Sequence, residues 1–274
     1  MKINFTKMHG CGNDFIMIDN RKNVLQHVVL KSFVQMVCRR KFHIGANGLM
    51  LLEDSNKADF SMRYFNSDGS EGEMCGNGAR CMAKFAYING IVDKEMAFET
   101  VDGVYQATIL NNGHVQIYFP TVFIRNIKLA QTLDMNGNEE HFHYATVGVP
   151  HTVIFKQKIV EEKEEAFIQW ARKIRYSNYF PKGTNVNIVE VKNKSELIIR
   201  TYERGVEEET LACGSGATAS AIISALVQST TSPVSVQTKG GVLTIGFQMD
   251  NEKVSSITLS GEAEVVFTGS FMDK

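Results

Sequence analysis

The chain has 274 residues, 43% of them hydrophobic and 22% charged, with a formal net charge of −1. That length suits two ordinary domains or one large one, and the composition is that of a soluble globular protein. Near-neutral charge with scattered Lys and Arg argues against a nucleic-acid partner. No apolar run reaches the roughly 18 residues that a bilayer crossing needs, so no membrane association is expected. The N-terminal stretch has no apolar signal-peptide core. Cys11, Cys38, Cys75, Cys81 and Cys213 form an odd, sparse set without metal-ligand spacing. Free thiols in a reducing cytoplasm, with no metal, are the expectation.

In chain order, residues 3–6 and 15–19 read as strands around a polar Gly/Asn turn, and 30–40 as an amphipathic helix. Strands follow at 49–53 and 60–65. Residues 77–89 have helical composition and are closed by Gly90. Three more strands read at 97–100, 104–110 and 115–119, with Pro120 as a boundary. Beyond it, 152–155, 186–191 and 197–202 read as strands, and 164–174 and 216–227 as helices. A Thr/Ser/Pro turn at 230–233 then opens a strand-rich end.

The two halves repeat. Met74-Cys75-Gly76-Asn77-Gly78-Ala79 matches Ala212-Cys213-Gly214-Ser215-Gly216-Ala217, the cysteines lying 138 positions apart. Thr100-Val101-Asp102-Gly103-Val104 matches Thr238-Lys239-Gly240-Gly241-Val242 at the same offset, and Tyr64 matches Tyr202. Three coincidences at one long offset indicate a duplication giving two similar domains, not a solenoid. The expected boundaries are 1–120, plus a C-terminal strand at about 263–274, and 121–262.

The chemistry of the repeated motif is specific. A thiol is a useful base only when partly ionised, and a helix N-terminus favours the thiolate through its amide N–H groups and partial positive charge. Glycines beside each cysteine let those amides approach an anion such as an α-carboxylate, and stabilise it as it becomes enolate-like. Inverting a stereocentre by proton transfer needs one group to remove the proton and another to return one on the opposite face. A duplicated protein supplies such a pair, here Cys75 and Cys213. The remaining thiols read as structural: Cys81 in a helix interior, Cys11 in a turn, Cys38 in the core. The acidic run Glu207-Glu208-Glu209 reads as a solvated turn, and residues 161–165 as an exposed helix start.

Seven blocks, running in order from residue 8 to residue 216, carry a family resemblance: Met8-His9-Gly10-Cys11-Gly12-Asn13-Asp14-Phe15, Tyr64 to Glu71, Met74 to Cys81, Gly148-Val149-Pro150-His151, Gly183-Thr184-Asn185-Val186-Asn187, Glu203-Arg204-Gly205-Val206, and Glu209 to Gly216. Together they resemble the diaminopimelate epimerase family. The resemblance implies an α/β (α+β) fold of two pseudo-symmetric domains. Each is a mixed β-sheet or barrel wrapped around a central helix, and the active site lies in the interdomain cleft. It implies interconversion of LL- and meso-2,6-diaminopimelate without pyridoxal phosphate, metal or any other cofactor, in lysine and peptidoglycan precursor synthesis. A small-molecule substrate goes with it, the cytoplasmic expectation rests on the free thiols, and a symmetric homodimer is the default for an oligomer.

Carried over by matching position, Cys75 and Cys213 are the two bases. Gly76, Asn77, Gly214 and Ser215 bind the reacting carboxylate. Asn13, Asn66, Asn185, Glu203 and Arg204 hold the substrate's amino and carboxylate groups, and His151 and Glu203 tune the cysteines and orient the substrate. Three departures bear on substrate recognition: Val149 where many relatives have Asn, Asn47 where Asp is common, and one extra residue between Arg204 and Cys213. The alternative within the fold is a racemase of proline, hydroxyproline or another single-centre amino acid. Outside that class, a non-catalytic amino-acid-binding protein would not need both cysteines. A cysteine hydrolase pairing one Cys with His151 would leave the second thiol without a purpose. No Lys stands in a motif that supports a pyridoxal enzyme.

Overall fold

The parallel strand pairs organise the architecture, because each needs a crossover long enough to hold a helix. A computed structural model of the chain describes residues 2–135 and 137–272. Met1 and the last two positions of the expected C-terminal strand, 273 and 274, lie outside the described residues. The chain divides into two compact units, Met1–Tyr118 with Ser260–Lys274, and Phe119–Leu259.

In the first unit, β1 (Lys2–Gly10) and β2 (Asn13–Asp19) form a hairpin, α1 (Leu30–Cys38) crosses to β3 (Gly48–Glu53), and β4 (Phe60–Asn66) returns beside it. Then α2 (Gly76–Ile88) crosses to β5 (Glu95–Thr100), followed by β6 (Gly103–Ile109) and β7 (Val115–Phe119). Successive pairs from β1 to β6 are antiparallel, parallel, antiparallel, parallel and antiparallel.

The second unit holds β8 (Val122–Phe123), β9 (Lys128–Asp134), β10 (Glu139–Val147), β11 (Val149–Phe155), α3 (Glu164–Arg175), β12 (Asn185–Asn193), β13 (Glu196–Tyr202), β14 (Glu209–Thr210), α4 (Gly214–Val227), β15 (Val234–Thr238) and β16 (Gly241–Met249). β17 (Lys253–Gly261) pairs with β8. The sequence of pairings along β10, β11, β12, β13, β15 and β16 repeats that of β1 to β6, with α3 and α4 as the crossovers. Only the leading strand differs in origin. β9 precedes β10 in the chain, whereas β1 takes its outer neighbour, β18 (Glu264–Met272), from the far C-terminus. The duplication read from the offset of 138 is therefore also a duplication of topology.

In each unit one helix lies at the centre. α2 packs on β1, β2, β3, β4 and β6, and α4 on β10, β11, β12, β13, β15 and β16. Both are buried almost all round, at Asn77–Ala83 with Phe85 and Ala86, and at Gly216–Ser224. A helix apolar on every side belongs inside a core. The run Gly-Ser-Gly-Ala-Thr-Ala-Ser-Ala that opens α4 keeps side chains small, so strands approach it closely from several directions. By contrast α1 and α3 bury one stripe each, at Phe33, Val34, Val37 and Cys38, and at Phe167, Ala171 and Ile174. Among the described residues no helix is long and apolar enough to cross a membrane.

The structure departs from the sequence reading in three places. Both central helices start earlier than read, at Gly76 and Gly214, because glycine's poor helix propensity hides a start that tertiary packing enforces. β9 and β10 were not foreseen; their polar residues at alternate exposed positions mask the strand period. The acidic run is not a solvated turn. Glu209 lies in β14 with its carboxylate fully buried against Arg200, and Glu207 accepts hydrogen bonds from Arg175 Nη2 at 3.0 Å and the Tyr202 hydroxyl at 3.0 Å.

Candidate active site

Each helix start carries one cysteine in the capping position. Cys75 (φ −111°, ψ 113°) and Cys213 (φ −118°, ψ 110°) are extended residues immediately ahead of α2 and α4. Their carbonyls accept the first helical bonds, from Ala79 N at 2.7 Å and Ala217 N at 2.9 Å. Neither side chain makes a capping bond to its own helix. The sulfurs are thus exempt from the usual duty of an N-cap side chain and sit where the helix dipole favours negative charge. Cys75 is half-buried and Cys213 buried.

The other three thiols are unsuited to the role. Burial pushes Cys38 and Cys81 up to about 12 and raises Cys11, against a partial lowering of Cys11 by the Arg80 charge. Cys11 occupies the turn between β1 and β2 at φ 51°, Cys81 lies within α2, and Cys38 ends α1.

Around Cys75, the β1–β2 turn delivers Asn13, whose Nδ2 donates to the sulfur at 3.8 Å. Its neighbour Asp14 is held from below by Lys7 Nζ at 2.7 Å and by Arg40 Nη2 at 2.5 Å, and these two cations keep its carboxyl below the usual range despite partial burial. Asn47 joins this cluster: its Oδ1 accepts from the Asp14 amide at 3.2 Å. The departure at position 47 thus touches the support of Asn13 rather than the sulfur. Asn77 is buried, its Oδ1 accepting from Arg80 Nη2 at 3.0 Å. Arg80 also donates to the Gly76 carbonyl at 3.3 Å and the Glu262 carbonyl at 3.2 Å, so a fully buried guanidinium braces the first turn of α2. Asn66, at the end of β4, is engaged with the Tyr64 hydroxyl at 2.8 Å and Ser70 Oγ at 3.1 Å.

Around Cys213, a polar chain ends on sulfur. Asn187 Nδ2 donates to His151 Nδ1 at 3.3 Å, His151 Nε2 meets Ser215 Oγ at 3.0 Å, and Ser215 Oγ lies 3.6 Å from Cys213 Sγ. An acceptor role for Nδ1 places the ring proton on Nε2, so the imidazole donates to Ser215, which is left to donate to the sulfur. Burial, with the nearby Arg204 charge, pushes His151 down to about 3, so it is neutral at physiological pH. It aims Ser215 and carries no charge toward the Cys213 sulfur. Asn185 Oδ1 accepts from the Arg204 amide at 2.7 Å, fixing the turn that bears Glu203 and Arg204. Burial raises the Glu203 carboxyl. Gly214 gives its carbonyl to Thr218 Oγ1 at 3.0 Å. Val149, the second departure, starts β11 opposite Val147 and is only partly buried. Among the described residues no three His, Cys, Asp or Glu side chains are grouped to hold a metal.

Reading the sequence alone overlooked Asn187 and Arg80. Asn187 is the hub of the polar chain at Cys213, with further bonds to the Thr152 carbonyl at 2.9 Å and from Thr201 Oγ1 at 2.9 Å. Its signal was its place two residues after Asn185 on one strand, hence on the same face. This hub makes Gly216 irreplaceable. A Cβ there would lie 2.5 Å from Asn187 Oδ1 and 3.3 Å from Cys213 Sγ. Asn187 cannot retreat without breaking three bonds, so Gly216→Ala is expected to destabilise by about 1–3 kcal/mol. A thermal melt should show the loss together with reduced turnover, whereas an unchanged melting temperature would contradict the packing described.

The chain resembles known proteins in sequence and in fold. The sequence profile of diaminopimelate epimerase matches residues 5–122 and 143–266. A diaminopimelate epimerase of Caldanaerobacter subterraneus subsp. tengcongensis is 42% identical over 281 residues, covering 97% of this chain and 98% of the relative. One of Aquifex aeolicus is 42% identical over 287 residues, covering 98% of both. Among solved structures, a phenazine biosynthesis protein of the PhzF family from Bacillus anthracis superposes with a TM-score of 0.73 at 14% identity, covering 100% of each chain. A hydroxyproline epimerase from Agrobacterium vitis, with bound trans-4-hydroxy-L-proline, gives 0.70 at 14% identity, covering 98% of this chain and 91% of that one. At such identities these two share the fold alone.

Proposed function

The chain belongs to the diaminopimelate epimerase family, and on that premise we propose that it interconverts LL- and meso-2,6-diaminopimelate by transferring an α-proton between Cys75 and Cys213. It is an isomerase. The observation that carries the two-base reading is the matched pair of extended cysteines at the N-cap positions of α2 and α4, neither of which makes a side-chain capping bond. One thiolate removes the α-proton and the other thiol returns one to the opposite face, the roles exchanging with direction. Negative charge growing on the α-carboxylate is met by the first-turn amides at Gly76, Asn77, Gly214 and Ser215. Asn13 donates toward the Cys75 sulfur and Ser215 toward that of Cys213, so each thiolate has a side-chain donor. Arg204 pairs with a substrate carboxylate, and Asn66, Asn185 and Glu203 hold the amino and carboxylate groups.

The reaction needs no cofactor in this reading, and it belongs to lysine and cell-wall precursor synthesis. A cytoplasmic setting agrees with the buried thiols of Cys11, Cys38 and Cys81. A homodimer is supported by β18, which leaves Val265, Val266, Phe267 and Met272 between 42% and 68% exposed on one strand. Enzyme with reductant and chelator, given LL-diaminopimelate, is expected to yield the meso isomer, and proline or hydroxyproline should remain unchanged. Racemisation of proline with no action on diaminopimelate would transfer the reading to the single-centre racemases.

A further inference from the structure

The duplication preserves one feature that no substrate contact explains. In the first unit, Arg63 on β4 grips Glu71 with two bonds, Nε to Oε1 at 2.8 Å and Nη2 to Oε2 at 3.2 Å. In the second, Arg200 on β13 grips Glu209 in the same way, at 2.8 Å and 2.7 Å. Each glutamate stands four residues ahead of a cysteine, Glu71 before Cys75 and Glu209 before Cys213. Each also lies where the chain, after leaving the strand, comes back against it: Phe65 bridges Glu71, and Tyr202 bridges Glu209.

The intervening loops carry Asn66 in one unit and Glu203 with Arg204 in the other, and they differ by one residue, eight positions from Arg63 to Glu71 and nine from Arg200 to Glu209. The spacing from glutamate to cysteine is nonetheless the same. A difference in loop length has been absorbed on the far side of the fork.

Their surroundings differ. Arg63 and Glu71 are 35% and 40% exposed, with Glu53 a further partner at 3.7 Å. Arg200 and Glu209 are 7% and 0% exposed; Arg200 also binds the Ile159 and Glu162 carbonyls, and Lys239 approaches Glu209 at 3.3 Å. A part-exposed ion pair adds about 1 kcal/mol or less to stability, so stability alone does not explain why the same fork recurs ahead of both cysteines. Its planar, two-bond geometry does fix direction.

We propose that Arg63–Glu71 and Arg200–Glu209 are positioning pairs, each clamping the return of one loop so that Cys75 and Cys213 respectively meet the α-carbon at the right distance. The proposal rests on the two-base reading. A misplacement of about 1 Å can cost up to a hundredfold in rate, so weakening a fork should slow the one transfer its cysteine performs.

Glu71→Gln and Arg200→Lys, each close to its parent in shape, would be assayed in both reaction directions with α-deuterated substrate and in D₂O. Glu71→Gln is expected to lower kcat about tenfold with KM within about twofold and an unchanged melting temperature. Its substrate isotope effect should rise in the direction where Cys75 is the base, and its solvent effect in the other. Arg200→Lys should show the reverse pattern. Exchanging Arg63 and Glu71 should restore rate. Cys75→Ser and Cys213→Ser serve as references: if they do not slow opposite transfers, the two-base reading itself fails, independently of the forks. If the references behave, isotope effects in the fork variants that match wild type, or that change equally in both directions, overturn the positioning role. Should Arg200→Lys not fold, the Glu71→Gln result alone decides.

Discussion

Cys75→Ala and Cys213→Ala are each expected to lower epimerisation by about 10²- to 10⁴-fold, the contribution of one placed acid or base. The structure separates this loss from a folding defect. Neither sulfur caps its helix, and the bonds that start α2 and α4 come from backbone carbonyls that alanine retains. Cys75 is only half-buried, so its truncation costs little packing. Cys213 is buried, and a small cavity penalty of about 1 kcal/mol is expected there. Circular dichroism melts beside the kinetics distinguish the two effects. Activity within tenfold of wild type in either variant would contradict the assignment of that cysteine.

The second large effect is on stability against pH. His151 is held near 3 in the folded protein and returns to about 6.5 when unfolded. Between those values the unfolded chain binds the extra proton, so stability rises with pH. The contribution is complete above about pH 6.5 and is lost as pH falls, at about 1.4 kcal/mol per unit. His151→Gln, which can still meet Ser215 and Asn187, removes this titration. The difference in unfolding free energy between wild type and variant should therefore slope between pH 6.5 and 4.5, while the carboxylates, common to both, cancel. A difference that stays flat across this window would show that His151 is not buried in the neutral form.

Much of the site was legible because it is local. The Cys-Gly-x-Gly pattern marks a helix start whatever the fold, and the single offset of 138 announced a duplication that the strand pairings repeat. What escaped depends on long-range pairing. Asn187 is a hub only because the parallel register sets it beside Val153 and within reach of His151, 36 positions away. Arg80 draws no role from the sequence, since a lone charge in a helical stretch gives no sign of burial, yet α2 is central and buries it completely. The acidic run misled because charge alone suggests solvent, while the return of β14 against β13 brings Glu209 onto Arg200, and Lys239 reaches it from beyond α4. Applying the offset to Glu71 lands on Glu209, but Arg63 lands on Thr201, since the longer second loop shifts the arginines to a spacing of 137 and hides the fork from the repeat.

The most direct test of the central claim follows the α-proton through the first turnovers in D₂O, by proton NMR of both product and recovered substrate. Two thiols acting from opposite faces should give product that carries solvent deuterium at the inverted carbon, while substrate recovered early keeps its own hydrogen. Substrate hydrogen retained in the product, or deuterium appearing equally in recovered substrate and product from the outset, would mean that one base serves both faces, and the assignment of Cys75 and Cys213 as a pair would fall.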